Sequence, residues 1–348
     1  MRILFYISAA IVIVLAAVLL LNYFSGATKF TTEVYDIDGG FTSILINDQY
    51  ADITLLPSED GKCRVSAYLS GTNALSYEIK DGSLNISFTA GKAWYNYISI
   101  GFKNPKIEVY LPDSTYDALT VKAATGAVVI PSDFAFADIN VNVSTGDVKC
   151  DARASASVSI TTSTGDISLS RANVSGSIAL AVSTGDIKIT ETAAEGAVTL
   201  AASTGKIDIT SLNAESLAIS TSSGDVTVTD TTISGSITQS ISTGETKFRA
   251  VSCEALTTDG TTGDLTLESF NARDSINATR DTGDVTFADA DAGEITVKTG
   301  TGNVTGNLLS SKIFIAKTSS GKINVPESTE GGKCKITTST GKIIITTP

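Results

Sequence analysis

Residues 182–189 read Val-Ser-Thr-Gly-Asp-Ile-Lys-Ile, and variants of this stretch return every 19 or 20 residues along most of the chain. A Thr/Ser-Gly pair occurs in each of twelve such repeats, and the glycines are Gly126, Gly146, Gly165, Gly185, Gly205, Gly224, Gly244, Gly263, Gly283, Gly302, Gly321 and Gly341. Self-similarity at a fixed period of this length is typical of repeat proteins in which each repeat is one structural unit.

Apolar residues keep constant distances from these glycines. They lie two and four residues after each glycine, and seven and five residues before it, with looser occupancy in the last of these positions. Around Gly185 they are Ile187, Ile189, Ile178 and Leu180. A spacing of two is strand periodicity, and glycine suits a tight turn because it reaches positive φ without a Cβ clash. Each repeat is therefore predicted to be strand, turn, strand and a looser corner.

Stacked repeats of this kind predict an all-β fold: a single-stranded parallel β-solenoid of about 12 coils, each of 19–20 residues. At about 4.8 Å per coil the rod would be on the order of 60 Å long. The crossover rule favours a right-handed coil. A leucine-rich repeat has a similar period, but the required Leu and Asn pattern is absent. We divide the chain into a transmembrane signal anchor (1–26), a strand-rich N-terminal cap continuous with the solenoid (27–117), and the solenoid repeats (118–348).

The N-terminus predicts membrane insertion. Ile3 to Leu21 are nineteen residues without a charge, long enough to cross a bilayer as a helix. Arg2 on the short side predicts a single-pass protein with a cytoplasmic N-terminus and an extracytoplasmic solenoid. The alternative is a leader that is cleaved near Ser25-Gly26-Ala27, where small residues permit it.

Composition excludes several functions. The net charge of −12 disfavours nucleic acid as a partner, and the chain has no histidine for nucleophile pairs or zinc. The four cysteines lie far apart in sequence, which excludes a zinc knuckle or a dense disulfide framework. Cys150 and Cys334 occupy apolar repeat positions and are predicted to be buried, whereas Cys253 falls outside them and is predicted at the surface. No catalytic residue and no cofactor are predicted.

The segment before the repeats is rich in strand patterns, and Asp81-Gly82 is typical of a hairpin turn. Most aromatic residues cluster here, among them Trp94, Tyr95 and Tyr97. These three are the candidate binding residues of the sequence, as an aromatic platform for a ligand. The alternative is a cap whose aromatic side chains cover the open edge of the first coil, which solenoids require.

Three elements of this segment, Phe41–Leu55, residues 81–86 and Ile107–Pro112, resemble the bacterial "putative adhesin" domain of unknown function. The Ser-Thr-Gly-Asp-Ile coils that follow are similar to the same family, so the resemblance covers about Phe30 to Pro348. It implies a β-solenoid of the bacterial envelope, linked in some members to adhesion or to envelope-stress signalling. No catalytic residues come with the resemblance.

The residue after each repeat glycine forms a column that is rich in carboxylates. Asp147, Asp166 and Asp186 are candidate ligands for calcium, a hard cation that takes six to eight oxygens. However, Lys206 interrupts the column, and the Gly-Gly-x-Gly-x-Asp motif of calcium β-rolls is absent. A solvated structural turn is the favoured interpretation.

These observations predict a non-enzymatic surface protein of the cell envelope, either an adhesin-like binding protein or a structural rod. Candidate partners are a cell-wall polymer, a glycan or an envelope protein. The alternatives are a regulatory module that senses envelope stress and a polysaccharide-active β-helix enzyme, which would need two carboxylates in a cleft. The last coil ends at Ile343–Thr346 without a visible cap, so an open strand edge there predicts end-on self-association.

Overall fold

The computed structural model describes residues 30–70, 74–89 and 105–348. Strands make up all of the regular secondary structure in these ranges and join in one hydrogen-bonded sheet, which confirms the all-β prediction. Within the described ranges, no helix is long and apolar enough to cross a membrane. The span predicted at Ile3–Leu21 lies outside them.

The strands of the first part of the chain are β1 (Phe30–Ile37), β2 (Ser43–Asp48), β3 (Asp52–Pro57), β4 (Cys63–Ser70), β5 (Ala74–Lys80), β6 (Ser83–Thr89), β7 (Lys106–Leu111), β8 (Thr115–Thr125), β9 (Val128–Ile130), β10 (Ala135–Thr145), β11 (Val148–Cys150), β12 (Arg153–Thr164), β13 (Ile167–Ser170), β14 (Asn173–Val174) and β15 (Ile178–Thr184). The remaining strands are β16 (Ile187–Ala194), β17 (Ala197–Thr204), β18 (Ile207–Ala214), β19 (Ser216–Ser223), β20 (Val226–Ile233), β21 (Ser236–Thr243), β22 (Thr246–Thr262), β23 (Leu265–Thr282), β24 (Val285–Thr301), β25 (Val304–Leu308), β26 (Lys312–Ser320), β27 (Ile323–Asn324), β28 (Gly332–Thr340) and β29 (Ile343–Thr346).

Successive coils, numbered here from coil 1 at Gly126 to coil 12 at Gly341, pair in parallel with a register of 19 or 20 residues through most of the rod. Strand β17 places Val198 opposite Ile178 of β15 and opposite Leu217 of β19. The four predicted apolar positions face the interior, and Ile187 and Ile189 of coil 4 are fully buried. A slip of one residue would turn these side chains outward, so the apolar pattern fixes the register. The solenoid of about twelve coils is confirmed.

From coil 3 to coil 9 further positions also face the interior, at seven and nine residues after the glycine and, in most of these coils, at three before it. The first two of these columns hold, from coil 3 to coil 9, Ala172, Thr192, Leu212, Thr231, Val251, Phe270 and Ala290, then Val174, Ala194, Ala214, Ile233, Cys253, Ala272 and Ala292. Cys253 is therefore buried, and its predicted surface position was wrong. Small residues predominate in these columns, so the apolar periodicity of the columns is hard to detect in the sequence.

A corner that the sequence pattern did not reveal lies six residues after the glycine in seven consecutive coils. Its residues have positive φ angles between 48° and 57°, and none is glycine: Arg171, Glu191, Ser211, Asp230, Ala250, Ser269 and Asp289. The left-handed conformation costs a non-glycine residue about 1–2 kcal/mol. The stacked neighbours on both sides impose this corner against the local preference.

The turn glycine is required on two grounds, as Gly185 shows. Its φ is +140°, and a Cβ built on it would lie 2.1 Å from the carbonyl oxygen of Gly165 in the coil below. Stacked turns thus approach each other so closely that no side chain fits between them. The constant glycine of the sequence repeat follows from this contact.

The coils at the C-terminal end do not stack in sequence order. Strand β28 of coil 12 lies between β24 of coil 10 and β26 of coil 11, with Cys334 opposite both Ile295 and Phe314. Strand β29 is likewise paired on both sides, with β25 and with β27. The last coil is therefore enclosed and coil 11 is outermost. The edge predicted to be open at Ile343–Thr346 is therefore paired, and that prediction was wrong. End-on self-association at the C-terminal coil stays a prediction.

Two adjacent glycines allow the chain to cross at this exchange. A Cβ on Gly331 would lie 1.9 Å from the carbonyl oxygen of Ser311, and one on Gly332 would lie 1.7 Å from that of Gly293. Larger residues would push apart the strands that the crossing segment passes. This Gly-Gly pair is the sequence feature that accompanies the exchange.

The N-terminal end contains a matching exchange. Strand β2 pairs with both β6 and β8, and β3 pairs with both β7 and β9. The coil formed by β2 and β3 therefore lies between coil 1 and a coil formed by β6 and β7. Strands β4 and then β1 continue the edge in antiparallel order, as β5 does beside β6. The hairpin predicted at Asp81-Gly82 is confirmed, since both residues have positive φ and join β5 to β6.

Candidate binding surface

The turn column is held together by hydrogen bonds to the backbone. Asp147 Oδ1 accepts the N–H of Asp166 at 2.9 Å, and Asp166 and Asp186 accept the next N–H in the column at 2.8 and 2.7 Å. One carboxylate oxygen of each calcium candidate is thus bound to the protein itself. Among the described residues, no three His, Cys, Asp or Glu side chains are placed to hold a metal ion. Calcium binding at this column stays a prediction.

The same bond recurs wherever aspartate occupies the column, which indicates a structural role. Asp225, Asp264 and Asp284 each accept the N–H of the residue stacked above. Asp52 accepts the N–H of Ala127, although 75 residues separate them in sequence. Lys206 carries no acceptor in its side chain, so the ladder is interrupted there.

The coil formed by β2 and β3, which lies next to coil 1, makes its turn at residues 48–51 without glycine. This turn contains a buried carboxyl group. Asp48 Oδ2 accepts the N–H of Ala51 at 2.7 Å, but Oδ1 is buried and has no partner among the described residues. Burial raises the pKa of Asp48 to about 6, against the lowering effect of the hydrogen bond from Ala51. This turn is therefore less well satisfied than the glycine turns that follow it.

A polar network crosses the interior of coils 7 to 9. Arg280 is 1% exposed and donates from Nη2 to Thr258 Oγ1 at 3.0 Å. Thr258 donates in turn to Gln239, whose Nε2 donates to Thr246 at 3.0 Å. Burial lowers the pKa of Arg280 to about 10. The guanidinium fits because Gly260 on the adjacent coil has no side chain, since a Cβ there would lie 2.7 Å from Arg280 Cδ.

The four cysteines, Cys63, Cys150, Cys253 and Cys334, are all free and buried, so the prediction holds for Cys150 and Cys334. Burial raises the pKa of each thiol to about 12. A thiol must ionise to act as a nucleophile or a metal ligand. These cysteines are therefore small apolar core residues.

The aromatic candidates Trp94, Tyr95 and Tyr97 lie outside the described residues, in the segment 90–104 between β6 and β7. Both strands belong to the N-terminal end of the rod. Binding through these side chains stays a prediction.

Exposed large apolar side chains of the described residues occur only near the two ends of the rod. Val34 (58%) and Tyr77 lie at the N-terminal end, and Leu309, Ile313, Ile315 (53%) and Ile323 (42%) lie in or beside coil 11. The sides of the middle coils instead carry exposed polar residues such as Lys188 and Thr199. Exposed apolar groups gathered in one place mark interaction sites, whereas scattered ones do not.

We name the outermost C-terminal region the tip surface, formed by Ile313, Ile315, Lys317, Ile323, Lys333 and Lys335. Strand β26 pairs with β28 on one side and, in the described ranges, with no strand on the other. Unpaired N–H and C=O groups of this kind are a template for another strand. A cavity of about 840 Å³ opens beside it, lined in part by Phe314, Ile323 and Val325. The interior of the solenoid is therefore open to solvent at this end of the rod.

The tip surface is basic in an otherwise acidic protein. Residues 309–348 contain six lysines and two glutamates, whereas the whole chain has a net charge of −12. Ile313 and Ile315 pair with Lys333 and Lys335 on the neighbouring strand, so apolar and basic side chains alternate on one face. Lys317, Lys333 and Lys335 form no ion pair with any described residue. Their charges remain available to an acidic partner.

Coil 11 is fastened to the rod by a buried ion pair. Lys312 Nζ lies 2.7 Å from Asp291 Oδ1 and donates to the carbonyl oxygen of Ala292 at 2.7 Å. Burial would raise the pKa of Asp291, but hydrogen bonds from Lys312 and Ser310 outweigh burial and hold the pKa below its ordinary value. This contact was not predictable from the sequence, because it joins coils whose stacking order differs from their order in the sequence.

Fold and repeat geometry define the chain as a β-solenoid whose coils are stacked in direct hydrogen-bonded contact. The family model of Toastrack DUF4097 matches residues 41–250 and 198–348, and the chain belongs to this family. The predicted resemblance is therefore confirmed. No curated protein matches the chain.

Several solved structures are similar over most of their length. A "putative adhesin" from Bacteroides fragilis has 17% identity and a TM-score of 0.28, covering 92% of this chain and 98% of that one. A "putative adhesin" from Parabacteroides distasonis has 16% identity and a TM-score of 0.30, covering 90% and 98%. A "putative lipid binding protein" from the same species has 16% identity and a TM-score of 0.32, covering 80% and 97%. At these values no function of this chain follows from the likeness.

Proposed function

We propose that this chain is a non-enzymatic surface protein of the bacterial envelope, a rigid β-rod that binds through its tip surface. The single observation that carries the proposal is the concentration of exposed apolar and basic side chains beside the free edge of β26. The middle of the rod is a spacer, and the N-terminal segment predicted to enter the membrane holds the rod at the outer side of the cell membrane.

The distribution of perturbed groups favours binding over catalysis. Asp48 lies at the N-terminal end, Arg280 in the core of coil 9, and the Asp291–Lys312 pair near the tip. A general acid or base must lie within hydrogen-bond reach of its substrate, usually in a pocket. Asp48 and the Asp291–Lys312 pair line separate pockets and Arg280 is buried in the core, so these groups do not converge on one pocket.

The experiment compares a labelled soluble fragment, residues 30–348, with a tip variant in binding to intact producing cells. In the tip variant Ile315→Glu and Lys317→Glu are combined. We expect saturable binding by the wild-type fragment and a loss of at least about tenfold in the variant, which is a change of about 1.4 kcal/mol. The matched control combines Lys188→Glu with Thr199→Glu on the side of the rod and should bind as the wild type does.

Two outcomes would contradict the proposal. The first is equal binding by the tip variant and the wild-type fragment. The second is a selective loss in the side control, which would move the binding surface to the sides. Far-ultraviolet circular dichroism of all three fragments verifies that each retains its β structure.

A further inference from the structure

The two ends of the rod are complementary in charge. Residues 309–348 contain six lysines against two glutamates, whereas residues 30–117 contain twelve Asp or Glu against six Lys or Arg. At the N-terminal end the exposed carboxylates include Glu33 and Asp38. Complementary charge of this kind favours the correct partner and accelerates its association.

The two ends are also complementary in backbone and in apolar surface. Strand β1 pairs only with β4 among the described strands, so within the described ranges one of its edges is unpaired, as one edge of β26 is. Val34 is exposed on β1 as Ile315 is exposed on β26. Addition of a strand to a free edge satisfies main-chain groups and places alternate side chains against each other.

We propose that the tip surface of one copy docks on the N-terminal end of a second copy, so that rods join head to tail. The inference rests on the proposed role of the tip surface and names its partner. Such a contact joins two different surfaces, so each added copy leaves one free end, and the contact repeats into a row unless its rotation closes a ring. Two tips do not pair with each other, because the unpaired lysines Lys317, Lys333 and Lys335 would then face their own copies.

The contact requires a second copy whose N-terminal end is accessible. Cleavage near Ser25-Gly26-Ala27 would leave such a copy, and a copy that keeps its anchor would be the base of the row. The row would then grow away from the membrane, since each added rod presents a new tip surface.

The test uses three forms of the fragment 30–348 in analytical ultracentrifugation: wild type, the tip variant Ile315→Glu/Lys317→Glu, and an N-end variant Glu33→Lys/Val34→Lys. The expected average mass of the wild type rises with concentration and falls again when salt screens the charges. Each variant alone should be monomeric. A mixture of the two variants should form a complex of two chains, because each supplies the end that the other lacks.

Three results would overturn the inference. Wild type that stays monomeric at about 0.1 mM shows no such contact. An N-end variant that dimerises by itself shows that two tips pair. A mixture of variants that remains monomeric, while the wild type assembles, shows a contact through another surface. If the cell-binding experiment still depends on the tip surface, the proposed function survives each of these results.

Discussion

The middle coils and the two ends of this rod are built by different rules. Between Gly165 and Gly283 each coil stacks on its neighbours in sequence, and one turn geometry and one set of interior columns serve all of them. At each end two coils exchange places, so a coil contacts a partner two coils away in sequence. A local sequence repeat is sufficient to specify the structure of the middle coils. The structure of the ends depends on which non-consecutive segments of the chain pair with each other.

The largest expected effect distinguishes a buried position from an exposed position in the middle coils. Ile187→Asp places a charge in a fully buried column and should lower the free energy of unfolding by more than about 4 kcal/mol. Lys188→Asp, one residue further along and exposed, is the control and should have little effect. Denaturant midpoints of the fragment 30–348 measure both, and similar midpoints would refute the interior column.

A second prediction concerns the exchanged coils and is measured by hydrogen exchange. If coil 12 is enclosed, the hydrogen-bonded amides of β28 should exchange at least about tenfold more slowly than those of β26, a difference of about 1.4 kcal/mol in opening free energy. A solenoid stacked in sequence order predicts the reverse, since its last coil would fray first. Slower hydrogen exchange in β26 than in β28 would therefore contradict the enclosed position of coil 12.

A third prediction uses pH to probe the glycine-free turn of the N-terminal end. The folded pKa of Asp48, about 6, lies above its ordinary value of 3.8. The contribution of Asp48 to stability is therefore complete below pH 3.8 and is lost as the pH rises through 6. Asp48→Asn should be more stable than the wild type by about 3 kcal/mol at pH 7.5, with little difference near pH 3.5.

The control for this pH series is Gln49→Asn, at an exposed position of the same turn. It changes no titratable group, so its effect on stability should be the same at the two pH values. A pH-independent effect of Asp48→Asn would show that its carboxyl group is not buried as described.

The smallest expected effect concerns the left-handed corner of the middle coils. Ala250 has a φ of +50°, so Ala250→Gly should stabilise the fragment by about 0.5 kcal/mol through relief of strain. Ala179→Gly, on an exposed strand position, should instead destabilise by about 0.5 kcal/mol. Thermal unfolding compares them, and a loss at both positions would count against a strained corner.

The middle of the fold was predictable because its rule is local. Gly185 and the apolar pair Ile187 and Ile189 recur at fixed spacing, and period and burial follow directly. The corner at Glu191 was not predictable, since the conformation is imposed by stacked neighbours on a residue without a preference for it. Cys253 was misplaced because the column that it shares with Ala272 and Ala292 has little apolar signal.

The sequence predicted the type of candidate surface, an open strand edge, but not the residues that form it. An open strand edge at the C-terminal end was expected, but at Ile343, because sequence order was taken as stacking order. Only Gly331-Gly332 accompanies the exchange, and a glycine pair alone does not indicate which segments cross. Handedness, the division near residue 117 and the roles of Trp94, Tyr95 and Tyr97 stay predictions.

The exchange of coils 11 and 12 has a consequence for the timing of synthesis. Strand β26 of coil 11 pairs with β28 of coil 12 and not with β24 of coil 10, so residues 312–325 complete their strand pairing only after residues 332–346 have emerged. A chain delivered from its N-terminus can complete coils 1 to 10 one after another. The tip surface therefore forms last.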